Sequence, residues 1–229
     1  PRRSGLVYGQ LAQRGLARST TEPPVITPEN GRIPPGGDGL EINMTTAAGS
    51  IYYTLDGSDP RLEGNGVAPS ATRFTGAFNL PRSSEIQART LRRGVWSNLV
   101  EKSFGTDVSA LRISEIHYNP RPPDEDSPVS QQDLEFIELV NSSEEALDLT
   151  GVHFSSGVEF NFTSSAVLDL APGEFVVVVK DIEAFATRYD IGRILIAGEY
   201  RGNLANAGEE LALQDALGEA IISFSYSDD

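Results

Sequence analysis

Two histidines, no cysteine and a scatter of carboxylates are all that this 229-residue chain offers for bond-making chemistry. The densest grouping opens in LRISEIHYNP, residues 111–120, where Glu115 and His117 follow Leu111 and Ile113 at every second position. Side chains alternate faces along an extended chain, so these four share one side, while Arg112, Ser114, Ile116 and Tyr118 share the other. The apolar phase therefore slips at Ser114–Glu115. Such a slip marks a β-bulge, an edge strand changing neighbours, or an acid and an imidazole held on a rigid strand for function.

A second acidic run, DLEFIELV, adds Glu135 and Glu138. Side chains three apart on one strand face opposite sides, which bars these two from acting as a paired acid and base. Glu115 and Glu138 can instead meet across neighbouring strands, and carboxyls about 5–9 Å apart would suit glycoside hydrolysis. Cross-strand acids more often bond backbone amides or an arginine, so a structural role is expected for Glu115 and Glu138. A cryptic glycoside hydrolase using Glu115 and Glu138 is the enzymatic alternative.

The remaining candidates have equally plain structural readings. Nucleophilic catalysis would need His117 or His153 beside a serine on a sharp elbow, and the GxSxG spacing does not occur. His153, in GVHFSSG, is expected at a strand surface or as a satisfied core imidazole. Without cysteine there is no thiol nucleophile, disulfide or thiolate zinc site. The acids of DGSDP, Asp56 and Asp59, and those of DEDS, residues 124–127, carry oxygens that suit calcium. Turn chemistry selects the same residues, because Asp caps its own backbone and Gly57 supplies a positive φ. Trp96, Tyr52, Tyr53, Phe74 and Phe78 would make either a sugar-stacking platform or core filling. No catalytic residue, metal ligand or cofactor is assigned on these grounds, and no ligand-binding residue is named.

The elements that must position these residues are mostly strands. Residues 1–106 hold 12 Lys and Arg against 9 Asp and Glu, net +3; residues 107–229 hold 6 against 24, net −18. A break this large suggests two modules, with the small polar stretch GTDVSA, residues 105–110, as linker. Opening at Pro1, the chain reads as a fragment or processed product. Its first segment, SGLVYGQLAQRGLARS, spaces Leu6, Val7, Gln10, Leu11 and Arg14 with helical period, and reads as the tail of an upstream domain. The Pro- and Gly-rich TEPPVITPENGRIPPGGDG then excludes helix and most ladder positions. From about residue 40, LEINMTTAAG, SIYYTLDGSDPR and SSEIQARTLRRGVWSNLVEKSF alternate and turn as short strands, the last around Arg93-Gly94. In the second half only DIEAFATRYD reads as helix, with Ile182, Phe185 and Tyr189 on one side. No apolar run approaches the ~18 residues of a membrane span.

The stretch IYYTLDGSDPR, followed by FTGAFNLP, EIQART and VWSN, resembles the chitobiase/β-hexosaminidase C-terminal module, a fibronectin-type sandwich. ISEIHYNP, EFIELVN, LDLTGVHF, LAPGEFVVVVKD with AFATRYD, and NLANAGEELALQDALGEAI resemble the lamin-tail domain, an immunoglobulin-like sandwich, in family order. The opening QLAQRGLARS with PPV is weakly similar to the end of spore-coat-protein-H-like domains. These resemblances imply an all-β chain of two tandem sandwiches with a short N-terminal helix remnant. Its parts are a remnant and linker at 1–22, the fibronectin-type module at 23–106 and the lamin-tail module at 107–229. They also imply a non-catalytic accessory or anchoring region of a larger bacterial protein, secreted or at the cell surface. Its partners would be an upstream domain of the same polypeptide and a polysaccharide, envelope or matrix component. A pair of carbohydrate-binding modules is the alternative. Nucleic acid is not expected as a partner, because phosphate binding rests on Lys and Arg, and the acidic half has only six, scattered. In the first half Arg89, Arg92 and Arg93 cluster in sequence. Membrane insertion is not expected either.

Overall fold

A computed structural model describes residues 19–29, 31–34 and 38–227. The helix expected near the N-terminus lies outside the described residues. Those that are described fall into two compact units, one ending at Phe104 and the next beginning at Gly105. Each is built almost wholly of strands.

The first unit contains β1 (Val25–Thr27), β2 (Leu40–Thr45), β3 (Ser50–Thr54), β4 (Thr72–Arg73), β5 (Phe78–Leu80), β6 (Ser84–Arg92), β7 (Val95–Trp96) and β8 (Val100–Phe104). One sheet runs β1-β2-β5; the other runs β4-β3-β6-β7, with β8 also on β6. Alternation explains the fold: β2 buries Ile42 and Met44 and leaves Glu41, Asn43 and Thr45 outside. With Ile26, Ile51, Leu80, Ile86, Ala88 and Phe104 they form a single core drawn from both sheets. The Pro-rich segment contributes more than its composition suggests, since Val25–Thr27 pairs antiparallel with Asn43–Thr45. It does so as a three-residue edge strand between Pro24 and Pro28, the place where missing donors matter least. The β6–β7 turn is Arg93-Gly94, both with positive φ, at 51° and 77°.

In the second unit the strands are β9 (Leu111–His117), β10 (Phe136–Asn141), β11 (Leu147–Asp148), β12 (His153–Ser156), β13 (Asp169–Leu170), β14 (Phe175–Val179), β15 (Ile196–Glu199), β16 (Glu209–Gln214) and β17 (Ala220–Tyr226), with one helix, α1 (Ile182–Ala186). A sheet β15-β14-β10-β9 packs over a sheet β12-β16-β17, and β11-β13 form a two-stranded ribbon. The core between them takes Leu111, Ile137, Leu139, Val176 and Val178 from the first sheet and Phe154, Leu211 and Leu213 from the second.

FVVVV has no alternation because β14 is covered on both faces. Val176 and Val178 enter the main core, while Val177 and Val179 join Phe136 and Phe185 in an outer cluster. Helix α1 makes that cover. Asp181 caps it, accepting from the Ala184 N–H at 2.8 Å, and Phe185 stacks on Tyr189 with ring centroids 4.4 Å apart. At the open end of the last hairpin, Gly208 has φ +96°, and a Cβ there would sit 2.2 Å from the Tyr226 carbonyl oxygen. Only glycine fits.

Phe162, fully buried in the second core, reports on that unit alone. Phe162→Ala should lower the second unit's unfolding free energy by about 3–5 kcal/mol and leave the first unit's unchanged. Denaturant unfolding followed by residue-resolved hydrogen exchange separates the two; a shared loss would show a single cooperative core.

Candidate functional site

The phase slip in LRISEIH is a β-bulge. Strand β9 pairs Glu115 with Glu138 and then Ile113 with Leu139, which leaves Ser114 as the extra residue. Before the bulge, Leu111 and Ile113 face the main core; after it, Ile116 takes that face and pairs with Ile137. Glu115 and His117 are thereby turned to the outer face of the sheet.

That rotation brings the sequence candidates together. Glu115 lies directly across from Glu138, and His117 lies across from Phe136. The His117 ring stacks on Phe136 with centroids 4.8 Å apart, and its Nδ1 is 3.5 Å from Glu115 Oε1. Ser114 Oγ donates to Glu138 Oε1 at 2.7 Å and to the Glu138 carbonyl at 3.2 Å. The bulge hydroxyl thus occupies one of the two acids, and Glu115 is half in water, with 51% of its side-chain surface exposed. A serine, a histidine and two acids stand on one strand pair, yet the serine bonds Glu138 and the histidine contacts Glu115, so no serine–histidine couple is formed.

Glu135 goes elsewhere. It precedes β10, is 1% exposed, and its Oε2 accepts from the Tyr200 hydroxyl at 3.0 Å and the Leu204 N–H at 2.9 Å. Its own carbonyl takes the Lys180 N–H, and the Lys180 ammonium bonds the Gly202 carbonyl. Burial pushes the Glu135 carboxyl above its ordinary range, more than the Leu204 and Tyr200 donors and the Lys180 charge pull it down. The Tyr200 hydroxyl is raised in turn, first by burial and then by the carboxylate beside it. Sequence spacing set Glu135 and Glu138 on opposite faces but gave no sign that one was a buried anchor for residues 200–204.

The other expected sites resolve into structure. In DGSDP, Asp56 accepts from the Ser58 N–H at 3.0 Å and the Ser58 hydroxyl at 2.6 Å, which lowers its carboxyl. Asp59 receives a two-pronged bond from Arg89, Nε and Nη2 each at 2.7 Å, and the Arg61 N–H at 2.9 Å. Burial pushes the Asp59 carboxyl up, but these donors outweigh it and hold it below the usual range. The sequence cluster Arg89, Arg92 and Arg93 is consequently broken: Arg89 is buried against Asp59 and the Ser97 carbonyl, and only Arg92 and Arg93 face solvent. Trp96 is 5% exposed, donates its indole N–H to the Asn65 carbonyl at 2.9 Å and meets Tyr52 edge-on. Tyr53 stacks on Phe78 against the first core, with Phe74 edge-on to it. Trp96 is thus buried, while Tyr52, Tyr53, Phe74 and Phe78 are half-buried. In DEDS, the Asp124 carbonyl accepts the Ser127 N–H, closing a turn. No group of three or more acids or histidines among the described residues is placed to hold a metal ion.

His153 sits at the rim of an open groove of about 530 Å³ lined also by Glu159, Phe160, Asn161 and Arg201. Its Nδ1 lies 3.0 Å from the Gly151 carbonyl. A carbonyl only accepts, so Nδ1 is the donor in this bond. The groove offers charged donors and acceptors, the Phe154 and Phe160 rings and the Ser164 hydroxyl.

Replacing the anchor tests its charge. A carboxyl that holds its proton more tightly when folded contributes stability below its unfolded value, and loses it as pH rises through its folded value. Glu135→Gln keeps an oxygen for both donors and cannot ionise. The stability gap between variant and parent should therefore move in the variant's favour as pH rises from about 4 to about 7. Urea unfolding across that range reads it; a gap independent of pH would show that Glu135 does not titrate there.

Against known families, Lamin Tail Domain matches residues 105–228 and Fn3 associated matches residues 40–104. No curated protein matches the chain.

Proposed function

The chain belongs to the lamin tail domain family, with an Fn3-associated module ahead of that domain, and from this premise we propose that it is a non-catalytic accessory region of a larger exported protein. In this reading it holds or anchors a neighbouring domain of the same polypeptide at a cell surface or in a matrix. Both families fit non-catalytic modules. The observation that carries the reading is the fate of the acids: Glu135 and Asp59 are spent on internal bonds, and Glu138 on the bulge serine. Groups that already hold a fold together are poorly placed to give up protons or bond a substrate.

A second reading, glycan binding, is favoured by the groove beside His153, whose mix of charged groups and two phenyl rings suits a polyol. It draws nothing from Trp96.

Three measurements test the proposal. In a screen against aryl glycosides, esters and phosphodiesters the chain should show no turnover; activity abolished by Glu115→Gln or Glu138→Gln would make it a hydrolase. Saturable chito-oligosaccharide binding lost in Arg201→Ala would instead favour the glycan reading. With duplex DNA at about 0.15 M salt, anisotropy should show no saturable binding, because counterion release needs clustered cations and a Debye length of ~8 Å screens isolated ones. Micromolar binding lost on neutralising Arg92 and Arg93 would overturn that.

A further inference from the structure

A sandwich has four edge strands, and in the second unit three are guarded. Strand β9 carries the Ser114 bulge in its middle and Arg112, Glu115 and His117 along it. On the opposite flank, the Ala197 carbonyl of β15 accepts the Ala166 N–H and the Ser165 hydroxyl. Strand β12 is bridged through His153 and Asn161, and Glu159 and Arg201 exchange two backbone bonds beside it. Bulges, charges and covering loops are the usual means of blocking edge pairing.

The fourth edge, β17, has few of these. Among the described residues it pairs only with β16, and its sequence, AIISFSY, has no charge and no proline. One bulge, at Ile221, lies near its start, and from Ile222 to Tyr226 the pairing with Glu209–Leu213 is regular. No residue of β17 is fully buried, although Leu211 and Leu213 opposite it are. By register Ile222, Phe224 and Tyr226 share the face of Leu211 and Leu213; Phe224 packs on the core, Tyr226 stacks on Tyr118 with centroids 4.8 Å apart, and all three stay half-exposed. Alternate N–H and C=O groups of such a strand point outward, away from β16.

Charge selects the occupant. From residue 202 to residue 229 there is no Lys or Arg, whereas Glu209, Glu210, Asp215, Glu219, Asp228 and Asp229 are all acidic. A second copy pairing edge to edge would bring two such hairpins together, in either strand direction. We propose that β17 is a docking edge for an extended segment of another protein, with alternating apolar side chains and basic residues at its ends. It adds to the sheet as a further strand: its backbone pairs with Ile222–Tyr226, its apolar side chains cover Ile222 and Phe224, and its cations meet the acidic hairpin.

The test uses the full chain and a synthetic peptide with an alternating Val-Thr core and lysines at both ends. Hydrogen exchange at outward-facing amides within residues 222–226 should slow by about tenfold or more at saturating peptide. The same peptide N-methylated on alternate amides should have no effect, and one ended by glutamates should bind about tenfold more weakly. Ser223→Lys with Ser225→Lys, at two exposed positions, should also weaken the lysine peptide while leaving the unfolding transition in place. No slowing, equal slowing by the N-methylated peptide, or slowing at Leu111–His117 instead would overturn the assignment. Concentration-dependent dimers that protect the same amides without peptide would overturn it in favour of a second copy.

Discussion

One inserted residue, Ser114, decides the sidedness of the second unit's first sheet. One face of that sheet meets the main core, and the other carries Phe136, Val177 and Val179 under Phe185 of α1. With a period of two, a one-residue shift exchanges every side chain between the faces. Strand β9 makes that exchange once, in mid-strand, so that Ile113 and Ile116 both reach the core although they are an odd number of residues apart. Glu115 and His117 are displaced to the outer face as a consequence, where Glu138 of β10 already lies. Their grouping follows from the needs of Ile113 and Ile116, and Ser114, the residue that makes the bulge, also bonds the nearer acid, Glu138.

The two units bury carboxylates in different ways. Asp59 is matched by a guanidinium whose planar fork meets both of its oxygens, so its charge is neutralised in place. A third of the Asp59 side chain stays in water, which limits the cost of burying it. Glu135 has no such fork. A hydroxyl and one backbone N–H bond it, with the Lys180 ammonium turned to a nearby carbonyl, and burial dominates its proton affinity. The first arrangement fastens a turn to the middle of β6. The second ties the entry of β10 to the chain just after β15 through bonds that the carboxyl only accepts.

Much of the fold was legible because its signals are local. Alternation in LEINMT, the turn at Arg93-Gly94, the unbroken FVVVV and the short helix around Phe185 each follow from a few neighbouring residues. The bulge was one of three readings of a phase slip, and only the partner strand chooses among them. Glu135 and Asp59 were visible as acids, but their partners Tyr200, Leu204 and Arg89 lie 30 to 69 residues away. Nothing in a one-dimensional pattern marks such pairs. The Arg89, Arg92 and Arg93 cluster misled for a related reason: strand alternation sets Arg89 and Arg92 on opposite faces, and Arg93 already belongs to the turn. Trp96 likewise left both a platform and a core role open, and the Asn65 carbonyl that takes its N–H decides for the core.

Protection is uneven around the second sandwich, and the unevenness follows from sequence. Covering an edge takes chain: residues 159 to 166 are spent on lacing the flank of β12 and β15. Charging an edge takes side chains, and β9 can carry Glu115 and His117 because its bulge sends them outward. For β17 neither device is in place, since its core-side positions must stay apolar to meet Leu211 and Leu213, and its solvent-side positions are Ser223 and Ser225. What the strand lacks, its surroundings partly supply, because the acids around the hairpin repel another copy of the same hairpin. Repulsion of that kind discriminates by charge, where a proline or a covering loop would refuse every strand alike. An edge closed to its own kind and open to a basic partner is the arrangement expected of a module that joins other chains.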